Sequence, residues 1–171
     1  MHDSISLSKE VIFVYLYLVQ HGEAKKEEED PARGLTNKGR NDVSNVAASL
    51  QKMNTQVKLI LHSGKTRAVQ TAQIFAGFLK PAREMTETDG LAPMDDPRLW
   101  VERVAEMDED TMLVGHLPSL ARLAGILLCA GQETNCIDFQ MGGVVCCKRF
   151  DDGRWAVEWM IVPAMVSQPV P

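Results

Sequence analysis

Three short segments carry side chains suited to handling a phosphoryl group: Gln20-His21-Gly22, Ser63-Gly64-Lys65 with Arg67 just beyond, and Gly115-His116-Leu117-Pro118. An imidazole can attack phosphorus near neutral pH, and a guanidinium offers a permanent charge in a planar fork. Gly22 lets the backbone turn sharply after His21, and His116 sits in a similar corner. Arg67 falls in the first turn of the helix expected after Ser63, where free backbone N–H groups also favour an anion. Together these groups describe a phosphate pocket. One imidazole attacks, and the other joins Arg67 in neutralising the equatorial oxygens. Taken singly, each residue has a plainer reading. A histidine at a strand end is ordinarily a structural hydrogen bonder, and a helical arginine a solvated side chain or surface ion pair. His62 and His2 are read in that plainer way, with His62 pointing away from Ser63 and His2 in a frayed end.

For these residues to meet, the elements that carry them must end at one edge. VIFVYLYLV (11–19) is a continuous apolar, β-rich run that suits a strand buried on both faces. Thr36 is the expected N-cap of a helix through about Leu50, with Val43, Val46, Ala47 and Leu50 at helical spacing. VKLILHS (57–63) reads as a strand and Lys65 to Leu79 as a helix with an apolar stripe. A short strand is expected over Arg83 to Thr86, and a helix opened by Asp96-Pro97. TMLVGH (111–116) is another buried strand, and Pro118 opens a helix to about Cys129. GVVCCKRF, DDG and RWAVEWMIV then read as a β-hairpin turning at Asp152-Gly153. The expected fold is therefore α/β: a three-layer αβα sandwich with a mostly parallel central sheet, helices on both faces and a C-terminal β-hairpin. One domain spans 1–171, with irregular tails over 1–10 and from Pro163 onward. Ligands of such sheets bind beyond the carboxyl ends of the strands, where the three segments fall.

These segments resemble the histidine phosphatase superfamily, the phosphoglycerate mutase-like fold. LVQHGEA (18–24) is similar to its opening motif, which usually reads Arg-His-Gly, and GLTNKGR (34–40), HSGKTRAVQTA (62–72) and VGHLPSL (114–120) follow in the family's order and spacing. The short length, the Gly-Glu-Ala after His21 and the His-Leu-Pro-Ser-Leu context look most like the SixA-type phosphohistidine phosphatases. The resemblance implies that His21 is the phosphorylated nucleophile, that Arg67 and His116 bind the phosphoryl group, and that Ser63 lines the pocket. It also implies that Thr36 and Gly39 shape the loop and helix beneath, and that the substrate is a phosphohistidine on a signalling or phosphotransfer protein. Neither a cofactor nor a metal is implied.

Two departures bear on activity. Gln20 stands where the family pattern has arginine, so a neutral amide replaces a charged fork. A charge-assisted hydrogen bond contributes roughly 1.5–3 kcal/mol against about 1 for a neutral one, a difference of up to about one and a half decades in rate. A proton donor is also missing from ETDGLAPMDDP, where Asp89, Asp95 and Asp96 are the available acids and Asp96 before Pro97 fits a helix cap equally well. An imidazole leaves phosphorus more readily than an alkoxide, so a P–N substrate relaxes that demand. Other readings stay open: a phosphate-binding module degenerate at Gln20, a phosphatase of small phosphate monoesters, and a metal hydrolase with His21 and His116 as ligands.

The net charge of −5 excludes a globally basic surface for nucleic acid or an anionic membrane. No run approaches the roughly 20 apolar residues of a membrane span, and MHDSISLSKE lacks the pattern of a signal peptide, so a cytoplasmic protein is expected. Cys129, Cys136, Cys146 and Cys147 form no CxxC pair, and the adjacent two should face opposite sides of a strand. Reduced, mostly buried thiols are expected. The acidic run Glu27-Glu28-Glu29-Asp30 reads as a solvated loop, or as a rim that repels highly anionic metabolites or touches a basic partner protein. The connections leave no material for a lid, and an open pocket suits a phosphorylated protein side chain.

Overall fold

The apolar runs pair into one six-stranded sheet. The computed structural model describes residues 13–166. In chain order the elements are β1 (Val14–Gln20), α1 (Asn37–Lys52), β2 (Leu59–His62), α2 (Thr66–Leu79), β3 (Thr86–Glu87), α3 (Arg98–Ala105), β4 (Thr111–Gly115), α4 (Ser119–Leu128), β5 (Val144–Arg149), β6 (Trp155–Ile161) and α5 (Pro163–Val166). The strand order is β3-β2-β4-β1-β5-β6. The first four of these run parallel, whereas β5 lies antiparallel to β1 and β6 antiparallel to β5. The fold is thus the expected αβα sandwich, a mostly parallel sheet flanked by a C-terminal hairpin.

Strand alternation divides the core. Tyr17, Val19, Met112, Val114 and Cys146 face α1 and α2, meeting Val43, Leu50, Ala72 and Phe75. Leu16, Leu18, Leu113, Val145 and Cys147 face the other way, meeting Trp100 and Val104 of α3 and Leu120 and Leu123 of α4. Cys146 and Cys147 are therefore buried on opposite faces, as alternation requires. Cys129 is only partly buried and Cys136 is exposed, which corrects the expectation that the thiols are mostly buried.

Several boundaries move. The first strand, expected over 11–19, is described from Val14 and extends through Gln20, because Gln20 pairs with Gly115 of β4; residues 1–12, and with them His2, lie outside the described residues. The strand expected over 83–86 shifts to Thr86–Glu87, because Arg83 N–H is spent on the Lys58 carbonyl and pairing with β2 starts only at Leu61 and Thr86. Asp96 caps α3, its Oδ1 accepting from Arg98 N–H at 3.0 Å. The tail expected to be irregular from Pro163 begins instead with the short helix α5, which packs against α1. At the hairpin turn Gly153 has φ +83°, the left-handed value that the Asp-Gly pair predicts.

Thr36 caps α1 as expected: its Oγ1 accepts from Gly39 N–H at 2.9 Å and donates to Glu23 Oε1 at 2.7 Å. Gly39 is needed there because a Cβ would lie 2.2 Å from the Glu23 carbonyl oxygen. The start of α1 is thus pressed directly onto the loop that follows His21. We expect Gly39→Ala to destabilise the fold by about 2–3 kcal/mol in urea denaturation, because the obstructing atom is backbone and overpacking carries costs of that order. An unchanged midpoint would show that the loop yields.

Candidate active site

The register of β1 on β4 sets Gln20 beside Gly115, so both strands stop in step. The His21 N–H then donates to the Gly115 carbonyl at 3.2 Å, drawing the chain after β1 against the chain after β4. The two imidazoles face each other with ring centroids 4.8 Å apart and planes inclined by 54°. His21 Nδ1 lies 2.7 Å from the Gly22 carbonyl oxygen, so that nitrogen carries the proton and Nε2 keeps its lone pair. Arg67 Nε–H donates to that lone pair at 3.1 Å. Ser63 Oγ lies 2.6 Å from His116 Nε2. With the hydroxyl donating, the proton of His116 sits on Nδ1, a buried atom with no partner among the described residues. An unmatched buried donor is costly, and an incoming oxyanion would satisfy it.

Of the five residues expected at the site, His21, Arg67, Ser63 and His116 meet in this one array. Gln20 adjoins it, yet its Oε1 is buried with no partner among the described residues, an acceptor where a phosphate pocket would want donors. Turning the amide over would exchange the two atoms. His62 is the structural hydrogen bonder expected of a histidine at a strand end: it is 6% exposed, and its Nδ1 accepts from Gly64 N–H at 3.1 Å. Asp89 pairs with Arg103 at 2.8 Å, Asp95 Oδ2 accepts from Ala92 N–H, and Asp96 caps α3, so each acid considered as a proton donor is engaged. Glu87, by contrast, reaches the turn beside Ser63: its carboxylate would lie 2.4 Å from a Cβ placed on Gly64.

Two supporting residues were not anticipated from the sequence. Thr71 is fully buried; its Oγ1 accepts from Gly22 N–H at 3.0 Å and donates to the Arg67 carbonyl at 2.7 Å. That one hydroxyl joins the loop after His21 to the helix bearing Arg67. Its spacing of four from Arg67 is the only signal, and a Ser or Thr bonding back one turn is common in helices. Arg33 is the other. Its charge, acting through space, helps to lower the pKa values of His21, His116 and Arg67. Of the acidic run, Glu27, Glu28 and Glu29 are exposed as expected, whereas Asp30 is partly buried and holds the loop, accepting from Ala32 and Gly34 N–H groups at 3.0 Å each.

Burial is the main cause that drives His21 down to about 4 and His116 to about 3. The Gly22 hydrogen bond pulls His21 the other way, and the charges of Arg67 and Arg33 add to the lowering. For His116, the neighbouring His21, Arg67, Lys65 and Arg33 contribute after burial. Both rings are therefore neutral across the physiological range.

The family model for the histidine phosphatase superfamily (branch 1) matches residues 16–111, from the first strand to the start of β4. The chain belongs to the histidine phosphatase superfamily. An uncharacterized protein of Picosynechococcus sp. is 34% identical over 138 residues, covering 76% of this chain and 82% of that protein. In three dimensions the chain is similar to the protein histidine phosphatase SixA solved with tungstate, at a TM-score of 0.80 and 19% identity, covering 90% of this chain and 100% of that one. It is also similar to a mycobacterial glucosyl-3-phosphoglycerate phosphatase solved with VO3, at 0.66 and 17%, covering 85% and 98%. Superfamily membership supports phosphatase activity. No helix among the described residues is long and apolar enough to cross a membrane.

The lowered histidines set a pH dependence. In the unfolded chain each ring takes up its proton near 6.5, whereas the folded rings wait until about 4 and 3. Below about 6.5 the unfolded chain binds more protons, so stability is full above that pH and is lost as pH falls through 6.5 toward 4. NMR titration should show both rings still neutral at pH 5.5, with urea midpoints falling from pH 7 to pH 5. Titration of either ring near 6.5 would contradict this account.

Proposed function

We propose that this chain is a phosphohistidine phosphatase in which His21 is the nucleophile. The observation that carries the proposal is the pairing of His21 Nε2, held against the Arg67 guanidinium, with a buried His116 Nδ1 that has no partner among the described residues and carries the ring proton when Ser63 donates to Nε2. In the first step the Nε2 lone pair attacks phosphorus, and the bond from phosphorus to the substrate nitrogen breaks. The departing imidazole keeps that electron pair and takes a proton from solvent. In the second step water attacks the phosphorylated His21, the phosphorus–Nε2 bond breaks, and phosphate leaves with a neutral ring restored. Arg67 and His116 hold the phosphoryl oxygens throughout, and Ser63 sets the direction of the His116 ring. The Nδ1 bond to the Gly22 carbonyl supports positive charge on His21 while Nε2 is bonded to phosphorus.

A P–N substrate is favoured because Asp89, Asp95 and Asp96 are all engaged elsewhere, so none of them is free to protonate a poor leaving group. A phosphohistidine exposed on a cytoplasmic signalling or phosphotransfer protein suits a site reached without a lid. The alternative, hydrolysis of small phosphate monoesters, draws on Glu87 beside the Ser63-Gly64 turn, which offers an acid for an alkoxide. The proposed role of Gln20 is to hold a phosphoryl oxygen through its amide nitrogen, more weakly than arginine would.

Phosphate release from a phosphohistidine peptide should fall to background in His21→Ala, and wild type quenched in alkali should carry a base-stable phosphoryl label that the variant lacks. Comparable release by both proteins would remove His21 as nucleophile. A phosphoserine peptide should be barely hydrolysed; equal rates on the two would favour the monoester reading. Gln20→Arg should raise kcat/KM by about 2- to 30-fold, the rate equivalent of a charged bond replacing a neutral one. Activity appearing only in that variant would instead mark the natural chain as a binding module.

A further inference from the structure

A cavity of about 370 Å³ opens beside Arg67, lined by Arg33, Lys65, Thr66 and Arg67, with one carboxylate, Glu27, on its wall. His21, Ser63 and His116 do not line it; it adjoins the pocket that would hold the phosphoryl group and shares Arg67 with it. Among the described residues none of its three cations has a carboxylate within ion-pair distance. Elsewhere Arg83, Arg98, Arg103, Arg122, Arg154 and Lys148 have acidic partners, whereas Lys26, Arg40, Lys52, Lys58, Lys80 and Arg149, like the three cavity cations, have none among the described residues.

The chain is shaped to keep these charges together. Arg33 has a left-handed backbone, φ 52°, in a turn closed by its own N–H on the Asp30 carbonyl at 2.8 Å. Asp30 fixes that turn through backbone N–H groups on either side of Arg33, whose guanidinium donates from Nε to the Lys25 carbonyl at 3.5 Å and pairs with no carboxylate among the described residues. Lys65 occupies the N-cap position of α2 without a capping side chain, so the first N–H groups of that helix add positive potential to the same wall. Like charges brought together with no counter-ion repel one another, and the arrangement becomes favourable when an anion enters.

We infer that this cavity is a second anion subsite, which takes a carboxylate carried next to the phosphoryl group of the substrate. The inference rests on the phosphatase reading above and names the substrate class more narrowly. Arg67 is shared, serving the phosphoryl group on one side and the carboxylate on the other, while Arg33 and Lys65 serve the carboxylate alone. Glu27 is exposed, and its side chain has solvent into which to turn away from an entering anion. The acidic loop therefore does not simply repel anionic substrates: Glu28 and Glu29 do not line this cavity, and Arg33 from the same loop attracts them.

The test compares two matched pairs of substrates on wild type, Arg33→Met, Lys65→Met and the double variant. One pair is a phosphohistidine peptide flanked by Asp or by Asn; the other is 2-phospholactate and isopropyl phosphate. Wild type should prefer the acidic member of one pair by about tenfold in kcat/KM, mostly through KM, as two partly exposed charge-assisted contacts allow. Each single variant should lose most of that preference, the double variant nearly all, and Arg33→Lys should keep the greater part. The pair that shows the effect tells whether the carboxylate belongs to a protein or to a small molecule. Active wild type with no preference in either pair overturns the subsite, and so does a preference that survives in the double variant. Absence of phosphate release from all four substrates overturns the phosphatase reading itself, and the subsite falls with it.

Discussion

The parallel pairing of β1 with β4 is the constraint on which the site depends. It is built on the chain's most apolar strands, with Leu18, Val19, Leu113 and Val114 wholly buried at its centre. Because Gln20 and Gly115 stand opposite each other, the residue after each strand is a histidine at the same height. Neither histidine could reach the other if the register slipped by one, since a one-residue slip would also turn every core side chain to the wrong face. Core packing and chemistry are thus secured by the same register. The His21 N–H to Gly115 carbonyl bond is its last rung.

Around that edge, short polar contacts fix what the sheet alone leaves loose. Thr36 holds Glu23, Gly39 admits the loop, and Thr71 ties Gly22 to the helix of Arg67. All of these act on backbone or on the loop, leaving the ring of His21 partly open. The charge arrangement follows the same division. Permanent charge is carried by Arg67 and Arg33, and the two rings are kept neutral by burial and by those arginines. A neutral ring beside a fixed cation keeps a usable lone pair.

Much of this was legible in the sequence. The buried strands announce themselves as apolar runs, and His21, Ser63, Arg67 and His116 stand where strands give way to helices. Thr36 was legible as a cap because capping has a local signature. Thr71 and Arg33 were not, for a different physical reason in each case. The Thr71 hydroxyl acts between elements that only tertiary packing brings together, and the direction of Arg33 follows from a left-handed backbone that Asp30 imposes across a loop. Likewise β3 was misplaced because two exposed residues, Thr86 and Glu87, carry no apolar pattern and owe their strand geometry to β2. Cys136 was misjudged because the segment after α4 has no regular element to bury it.

The register shift between Cys146 and Cys147 has a bearing on solubility. The sheet has two open edges. On one side β3 is only two residues long, too short to template another strand. On the other, β6 is seven residues long and stands last in the strand order. The irregularity where β5 meets β6 breaks the even spacing of the ladder and increases local twist, while Lys148 and Glu158 set charges across the same pair. A second copy approaching that edge meets a warped strand, which hinders edge-to-edge association. The longer edge of the sheet is thus kept from becoming adhesive.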